Sequence, residues 1–480
     1  MTGLSSTHMA TTISQISAVN PATEEVIASF DAFGRDEVEM ALAEAQDAFL
    51  DWRQRPLAER AVPMRALAAL LRERSERYAR LATLEMGKPI VEAKAEIEKC
   101  AFGADHFAEN AARYLADEEI RANARRSIVA FQPLGVVLAV MPWNFPFWQV
   151  IRFAAPALMA GNAAVLKHAS NVPQCALAIE EAFRDAGFPH GLLRTVLVSG
   201  SAIEPIIADD RIRAVTLTGS SDTGSRIAEL AGRALKKTVL ELGGSDPFIV
   251  LGDADLHLAA TTAVRARNQN NGQSCIAAKR FIVVNTVADE FERRFAKGVE
   301  DLVVADPMEA KTQVGPLARR DLLDALERQV DESVRAGARV LTGGERLAGK
   351  GYFFRPTVLT NVTRDMAAFR EETFGPVAAV IRVRDADEAV NVANDSAYGL
   401  GASIWTRDAA LGERLARRIE SGSVFVNGMV ASDPRLPFGG IKRSGYGREL
   451  SAFGAREFTN IQTIWIGPAE GQQPTSQPAE

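Results

Sequence analysis

The run VVLAVMPWNFP (136–146) decides how the chain folds. Its first six residues are all apolar, which is typical of a short strand buried on both faces of a sheet, and the prolines after them predict a turn. Similar apolar runs recur downstream, with amphipathic stretches between them, at 163–167, 194–200, 214–219 and 237–244. This alternation of strands and helices predicts an α/β fold with a mostly parallel, doubly wound sheet.

The alternation restarts after residue 244. Further apolar runs lie at 246–251, 280–284, 338–344, 377–383, 401–406 and 422–428. Residues 35–116 instead have the alanine, glutamate, arginine and leucine content that is typical of helices. A helix is also predicted at 173–186, with Asn171 as its cap and Gly187 just beyond its end. We therefore expect the α/β class with two doubly wound domains.

The composition limits the function classes. The 480 residues carry a net charge of −6, so neither nucleic acid nor an anionic membrane is expected as a partner. Cys100, Cys175 and Cys275 are too few and too far apart for a disulfide framework, which favours a reducing, cytoplasmic location. No Cys/His cluster has metal-ligand spacing, so no metal is expected.

The two ends of the chain are predicted to lie outside the folded domains. Residues 1–14 lack the basic start and apolar core of a signal peptide, and we expect a disordered arm there. The Pro-, Gln- and Glu-rich residues 468–480 are expected to form a disordered tail. The most apolar segment, 145–166, contains two prolines and several polar residues, so we do not expect it to span a membrane.

Ligands of doubly wound folds bind at the carboxyl ends of the strands, so the residues there are the candidates for a site. Asn144 follows the first strand, and its amide is able to donate to a developing oxyanion or simply to cap the turn. Lys167 ends the second strand, where it would bind a ribose or phosphate, or extend to solvent as a surface lysine. Ser170 follows, and a neutral residue there leaves room for a 2′-phosphate.

The later strand ends add three more candidates. Gly219 and Ser220 precede a helix, which is a weak indication of an anion site because the full dinucleotide fingerprint is absent. Glu241 ends an apolar strand, where burial would raise its pKa towards that of a general base, unless a buried cation pairs with it. Cys275 follows a glycine-containing turn, and a thiol there is either a nucleophile or an inert buried residue.

Taken together, these stretches resemble one family. The motifs MPWNFP (141–146), LELGG (240–244), NGQSC (271–275), EETFGP (371–376) and PFGGIKRSGYGRE (437–449) occur in the order and spacing of the NAD(P)-dependent aldehyde dehydrogenases. The resemblance implies a dinucleotide-binding domain, a catalytic domain and a small β extension that joins subunits of a homodimer or homotetramer. The dinucleotide-binding domain would consist of residues 15–119 and 136–241, and the catalytic domain of residues 242–446. The β extension would consist of residues 120–135 and 457–467.

The resemblance also implies a role for each motif residue. Cys275 would attack the aldehyde as a thiolate, which the site must then favour. The Asn144 amide and the Cys275 backbone N–H would hold the oxyanion, and Glu241 would activate water. The cofactor, NAD or NADP, would be bound by Trp143, Lys167, Ser170, Gly219, Ser220, Leu242, Glu372 and Phe374.

Within the family, the chain is most similar to bacterial succinate-semialdehyde dehydrogenases. Their substrate has a distal carboxylate, which Arg152 and Ser432 would bind; the alternative for Arg152 is an ion pair at the start of a helix. Gln269 stands where many relatives carry an arginine. We therefore expect the site to bind the substrate carboxylate more weakly, or to accept other aldehydes more readily. The alternative substrates are broad aliphatic or aromatic aldehydes, which Phe147 and Trp148 favour.

Overall fold

The computed structural model describes residues 15–467, so the predicted arm (1–14) and tail (468–480) lie outside the described residues. The described part begins with a hairpin and four helices, which cover the region predicted to be helical. Their bounds are β1 Gln15–Asn20, β2 Glu25–Asp31, α1 Arg35–Trp52, α2 Leu57–Glu73, α3 Ser75–Met86 and α4 Ile90–Tyr114.

Alternating strands and helices follow, as the apolar runs predict. Their bounds are β3 Glu118–Glu119, β4 Arg126–Pro133, β5 Val136–Met141, α5 Trp148–Met159, β6 Ala163–His168, α6 Pro173–Asp185, β7 Leu193–Thr195, α7 Ile203–Ala208, β8 Ile212–Thr218, α8 Ser221–Arg233 and β9 Lys237–Glu241. A short 3₁₀ turn, Gly200–Ala202, precedes α7.

The second half of the chain repeats the alternation. Its elements are β10 Asp246–Val250, α9 Leu256–Asn268, β11 Ala278–Val284, α10 Asn285–Glu300, α11 Arg320–Arg335, β12 Arg339–Thr342, β13 Thr357–Thr360, α12 Ala367–Arg370, β14 Val377–Val383, α13 Ala386–Asn394, β15 Tyr398–Gly399, β16 Gly401–Trp405, α14 Ala409–Ala416, β17 Ser423–Val426, β18 Ile441–Lys442, β19 Gly445–Tyr446, α15 Ser451–Glu457 and β20 Thr459–Ile466. A 3₁₀ turn, Gln269–Gly272, lies between α9 and β11.

The first large sheet has the strand order β7-β6-β5-β8-β9-β19. All neighbours are parallel except β19, which runs antiparallel to β9. The strand order reverses between β5 and β8, and the crevice at such a point is where doubly wound sheets bind ligands. Every residue of β5 is buried, as its uninterrupted apolar sequence predicts.

The second large sheet has the order β12-β13-β14-β11-β10-β16-β17 and is parallel except for the β12–β13 pair. The predicted α/β class with doubly wound sheets is therefore confirmed. One strand, β13 (TVLT), escapes prediction because it has only four residues and two of them are threonines. It is nonetheless fully buried between β12 and β14.

A third sheet is assembled from distant parts of the chain. β20 pairs antiparallel with β4 over eight residues, from Thr459 opposite Pro133 to Ile466 opposite Arg126, and β3 pairs with the other side of β4. Within the described residues the outer edge of β20 has no partner strand. It lies in the range predicted to join subunits, and that role stays a prediction.

The start of α6 differs from prediction. Val172, not Asn171, is the N-cap residue, and no local side chain caps the helix. Instead Glu85, at the end of α3, accepts hydrogen bonds from the backbone N–H groups of Gln174 (2.8 Å) and Cys175 (2.9 Å). A carboxylate from another helix thus accepts the hydrogen bonds that the free N–H groups in the first turn of α6 donate. Local sequence patterns do not reveal such a distant cap.

No helix within residues 15–467 combines the length and the apolar character that crossing a membrane requires.

We expect Glu85→Ala to lower the free energy of unfolding by about 1 to 3 kcal/mol at pH 5, because two buried N–H groups lose their acceptor. Burial raises the pKa of Glu85 from 4.5 to about 7. The folded protein therefore holds this proton more tightly than the unfolded chain, and the contribution of Glu85 to stability falls as the pH rises through about 7. Denaturant unfolding at pH 5 and pH 8 measures both effects.

The exposed Glu73 supplies the control. Glu73→Ala should change the free energy of unfolding by less than about 0.5 kcal/mol at either pH. Equal losses in the two variants would contradict the capping role of Glu85.

Candidate active site

A cavity of about 400 Å³ lies where the carboxyl ends of β5, β8 and β9 face the loop that ends at Cys275. It brings together eight of the residues singled out from the sequence. These are Trp143, Asn144, Gly219, Ser220, Leu242, Cys275, Glu372 and Phe374. Residues from both halves of the chain therefore meet at the point where the strand order of the first sheet reverses.

The loop before Cys275 has an unusual backbone. Asn270, Asn271 and Gly272 all have positive φ angles, of 54°, 58° and 72°. Asparagine and glycine are the residues that adopt this left-handed region most readily, which explains the NNG sequence. Buried hydrogen bonds hold the loop in place: Asn271 Nδ2 donates to the carbonyl oxygens of Gly87 and Pro316, each at 2.8 Å.

The same loop orients Asn144. The Asn144 Nδ2 atom donates to the carbonyl oxygen of Gln273 at 3.1 Å, and Asn270 Nδ2 donates to the carbonyl oxygens of Asn144 (2.8 Å) and Gln273 (2.9 Å). An amide nitrogen has two hydrogens, so Asn144 keeps a second one for another acceptor. The turn after β5 and the turn before Cys275 are thus joined as one unit.

Helix α4 supports both turns with buried carboxylates that sequence reasoning missed. Glu92 accepts a hydrogen bond from Asn270 N at 2.6 Å. Glu96, one turn later, accepts from Phe147 N (2.8 Å) and Trp148 N (2.9 Å) at the start of α5, and forms a buried ion pair with Lys88. The only sequence signal for this role is the i, i+4 spacing of Glu92 and Glu96. The same spacing is equally typical of glutamates on an exposed helix face.

A second missed residue is Lys279, four residues after Cys275. Its Nζ is fully buried and donates to the carbonyl oxygens of Ser274 (3.0 Å), Cys275 (2.9 Å) and Ala277 (3.1 Å). It also lies 3.7 Å from the carboxylate of Glu372, which accepts from Gly244 N at 3.0 Å. The sequence signal for Lys279 is a lysine at the start of a buried strand, whereas Lys167 was singled out because it lies at the end of one.

The expectation that the site favours the thiolate is not met by the protein alone. Burial raises the pKa of the Cys275 thiol to about 12, with Arg152 and Lys279 opposing the effect. The thiol must therefore lose its proton to a base as the new bond to sulfur forms. Cys100 and Cys175 are fully buried and also have raised thiol pKa values, as inert residues would.

Glu241 has the properties of such a base. Both of its carboxylate oxygens are buried without a hydrogen-bond partner among the described residues. Burial raises its pKa well above 4.5, the nearby Glu449 raises it further, and Arg152 lowers it. The residue that follows it, Leu242, lines the cavity, although Glu241 itself lies behind the lining.

Arg152 is placed beside these carboxylates and does not line the cavity. It is buried, forms an ion pair with Glu449, donates to Thr218 Oγ1 at 3.3 Å and lies over the ring of Phe438 at 4.6 Å. Its positive charge is therefore already matched by a buried carboxylate from the C-terminal motif. Binding of a substrate carboxylate by Arg152 stays a prediction.

The other two residues predicted to bind substrate are not together. Ser432 lies against Lys99 and Trp148. Gln269 lines a separate cavity of about 760 Å³ between α4, α9 and α10. Phe147, which favoured aromatic substrates, packs in the core against Tyr78 with ring centroids 5.3 Å apart.

Three residues outside the cavity lining, at the end of β6 and at the start of α8, bear on the binding of a nicotinamide dinucleotide. Lys167 is buried at the end of β6 and forms no ion pair within the described residues, so it keeps a charge for an anionic or hydroxyl-bearing ligand. Ser170, three residues on, is exposed. At the start of α8, a Cβ on Gly224 would lie 2.5 Å from the side chain of Leu242, so glycine at this position allows α8 to pack closely against Leu242.

The described residues contain no group of three or more His, Cys, Asp or Glu side chains suited to a metal ion.

The chain belongs to the aldehyde dehydrogenase family, whose family model matches residues 8–464. A probable succinate-semialdehyde dehydrogenase (NADP(+)) of Synechocystis sp. is 53% identical to this chain. The alignment covers 94% of this chain and 99% of the relative's chain. Succinate-semialdehyde dehydrogenase (NADP(+)) 1 of Mycobacterium ulcerans is 52% identical over 94% of this chain and 100% of its own. The crystal structure of succinic semialdehyde dehydrogenase from Streptococcus pyogenes in complex with NADP+ matches with a TM-score of 0.92 and 38% identity, over 94% and 100% of the two chains.

We expect Arg152→Leu to reduce kcat at least about tenfold for charged and neutral aldehydes alike. The variant leaves Glu449 buried without its cation beside Glu241, and the loss of Arg152 also raises the pKa of Glu241 further. Because the base acts in its ionised form, the pH at which the rate rises should move upwards. Steady-state rates across pH with butanal and succinate semialdehyde measure both effects.

The double variant Arg152→Leu/Glu449→Leu is the control, since it removes both charges and should recover part of the lost rate. A loss confined to the carboxylate-bearing aldehyde would instead place the main role of Arg152 at the substrate.

Proposed function

We propose that the protein oxidises an aldehyde, succinate semialdehyde in particular, to the carboxylic acid with NADP or NAD as the oxidant. The observation that carries the proposal is a cavity lined by both Cys275 and Asn144, to which Leu242 also contributes, next to Glu241, whose carboxylate is buried without a hydrogen-bond partner among the described residues. The relatives named as succinate-semialdehyde dehydrogenases support the choice of aldehyde.

In the first half of the reaction the Cys275 sulfur forms a bond to the aldehyde carbon as the ionised Glu241 takes the thiol proton, which it passes to solvent before the second half. The carbonyl oxygen becomes an oxyanion, for which the free hydrogen of Asn144 Nδ2 and the Cys275 backbone N–H are the available donors. Lys279 binds the carbonyl oxygens around Cys275, which keeps this stretch of backbone in one orientation. When bound, the nicotinamide dinucleotide accepts the hydride, and Cys275 is left as a thioester.

In the second half a water molecule attacks the thioester carbon. Glu241 takes the proton from that water, the carbon–sulfur bond breaks, and the acid leaves as Cys275 regains its proton. A base with an ordinary glutamate pKa would be too weak for this step at neutral pH. Burial of Glu241 without hydrogen-bond partners supplies the necessary rise in pKa.

For the cofactor we propose that NADP is accepted. Lys167, near the end of β6, and Ser170, just after the strand, occupy positions where family members bind the adenosine ribose, and neither carries a negative charge that would repel a 2′-phosphate. Glu372 would hold the nicotinamide ribose, while Trp143 and Phe374, whose rings meet edge to face at 5.7 Å, would flank the ring end of the cavity.

The domain assignment and the homo-oligomer belong to the same proposal. The dinucleotide-binding domain would be 15–119 with 136–241, and the catalytic domain 242–446. The chain would assemble through β4 and β20, because β20 leaves an eight-residue edge unpaired with Ile461 and Trp465 exposed. Three free cysteines support a cytoplasmic location.

The central test is a panel of succinate semialdehyde, butanal and benzaldehyde, each with NADP and with NAD. We expect formation of reduced cofactor with the highest kcat/KM for succinate semialdehyde. Cys275→Ala should lose at least about 10³-fold in kcat because the nucleophile is absent. The matched variant Cys175→Ala, at a fully buried cysteine on α6 that does not line the cavity, should keep the wild-type rate.

Two outcomes would contradict the proposal in different ways. If the folded wild-type protein oxidised none of the aldehydes, the activity itself would be excluded. If it oxidised butanal or benzaldehyde as well as succinate semialdehyde, the broad-specificity alternative would replace the assigned substrate.

Trp465→Lys should shift the protein towards smaller species in light scattering after gel filtration, because a charged side chain opposes pairing of two β20 edges. Leu235→Lys is the matched control, since Leu235 is an apolar residue in a loop outside β20 and is even more exposed than Trp465. If both variants keep the mass of the wild type, and that mass exceeds one chain, the assembly surface lies elsewhere.

A further inference from the structure

Arg319 is the only lysine or arginine among the described residues that line the cavity with Cys275. It lies immediately before α11, and its guanidinium carbon is 5.7 Å from the ring centroid of Trp143, another residue of the lining. The cofactor proposed above carries a negatively charged diphosphate between its two nucleotides. Arg319 is therefore the one cation in the lining that can balance this charge directly.

The loop that ends at the reactive cysteine holds Arg319 in place. Asn271 Oδ1 accepts a hydrogen bond from Gly315 N at 2.7 Å, and Gln273 Oε1 accepts one from Ala318 N at 2.9 Å. Both of these side chains are buried, and Ala318 directly precedes Arg319. The start of α11 is therefore fixed to the loop that carries the nucleophile.

Asp321 orients the guanidinium of Arg319 without using all of its donors. The Nε and Nη2 atoms donate to the two carboxylate oxygens of Asp321 at 2.8 and 2.7 Å. A guanidinium group has more N–H donors than these two bonds use. The Nη1 atom donates to no acceptor among residues 15–467, so the edge remote from Asp321 keeps hydrogens for a ligand.

The starts of two helices line the same cavity. Gly219, Ser220 and Thr223 line it at the start of α8, where Ser220 is the N-cap residue. Leu322 lines it in the first turn of α11. These helices have 13 and 16 residues, and the N-terminal end of such a helix carries a partial positive charge. An anion beside Arg319 is therefore favoured by both helices as well.

The order of the strands places Arg319 on the path of a dinucleotide. Arg319 lies over Trp143, which follows β5, and β5 lies between β6 and β8 in the first sheet. Lys167, at the end of β6, would bind the adenosine ribose, and Glu372 would hold the nicotinamide ribose in the cavity. The diphosphate joins these two riboses, so it would pass the guanidinium group.

We propose that Arg319 binds the diphosphate of the nicotinamide cofactor, opposite the start of α8. The inference rests on the function proposed above and adds a binding residue that the sequence did not single out. Because NADP and NAD have the same diphosphate, Arg319 contributes to the affinity for both cofactors and not to the choice between them.

Calorimetric titration of the full chain with NADP and with NAD, in the absence of aldehyde, tests this role. Arg319→Met should raise the Kd of each cofactor about 5- to 20-fold, the effect of losing one charged contact that is partly exposed to solvent. The factor should be the same for NADP and NAD. Arg319→Lys should give intermediate Kd values, because it keeps the charge but not the planar guanidinium.

Arg320→Met is the matched control. Arg320 also pairs with a carboxylate, that of Glu24, but its guanidinium lies over Tyr352 and it does not line the cavity. Its Kd values should equal those of the wild type, and thermal unfolding shows whether each variant is folded. If Arg319→Met does not fold, Arg319→Lys and Arg320→Lys make the same comparison.

A salt series gives an independent measure. The Kd of the wild type for NADP should rise more steeply between about 50 and about 500 mM NaCl than that of Arg319→Met, because salt screens a contact between partly exposed charges. A residue that only supported the shape of the cavity would leave the two slopes equal, and equal slopes would therefore overturn the proposed contact.

The outcomes separate this inference from the proposed function. A folded wild type that binds neither cofactor overturns the proposed function. A wild type that binds both, with Kd values that do not change in Arg319→Met, overturns the role of Arg319. A loss confined to NADP also overturns it, because the guanidinium would then bind the 2′-phosphate rather than the diphosphate.

Discussion

The hydrogen bonds between the buried carboxylate of Glu96 and the first turn of α5 are the interaction on which the site depends. The backbone N–H groups of Phe147 and Trp148 donate to it, and Lys88 balances its charge. Each bond to a charged group contributes about 1.5 to 3 kcal/mol. The turn with Asn144 directly precedes these residues, so fixing α5 also fixes the amide that faces Cys275.

Charge balance inside the protein explains which groups around the site are free to react. Lys279 is balanced by the half-buried Glu372, and Arg152 by the buried Glu449. Glu241 has no hydrogen-bond partner among the described residues, and burial raises its pKa although Arg152 opposes the rise. A site of this kind keeps its structural charges paired and leaves the base with a raised proton affinity.

Much of the fold could be predicted from the sequence, because strands buried on both faces are uninterrupted apolar runs. β5 lies within the bounds that its sequence predicts, whereas β13 is too short and too rich in threonine to stand out. The motif residues at strand ends were also accessible, since chain topology alone brings such ends together. Glu92 and Glu96 were not, because their importance arises from partners that are 178 and 51 residues away. The raised pKa of the Cys275 thiol could not be predicted for the same reason, because the burial of this thiol depends on the whole fold.

The face of α4 that carries Glu92 and Glu96 constrains how the chain can change during evolution. Each residue added to a helix rotates everything beyond it by about 100°. A single insertion or deletion between Glu92 and Glu96 would therefore turn one of these side chains away from its partner loop. Substitutions at the outward positions of α4 are tolerable, but its length in this interval is not.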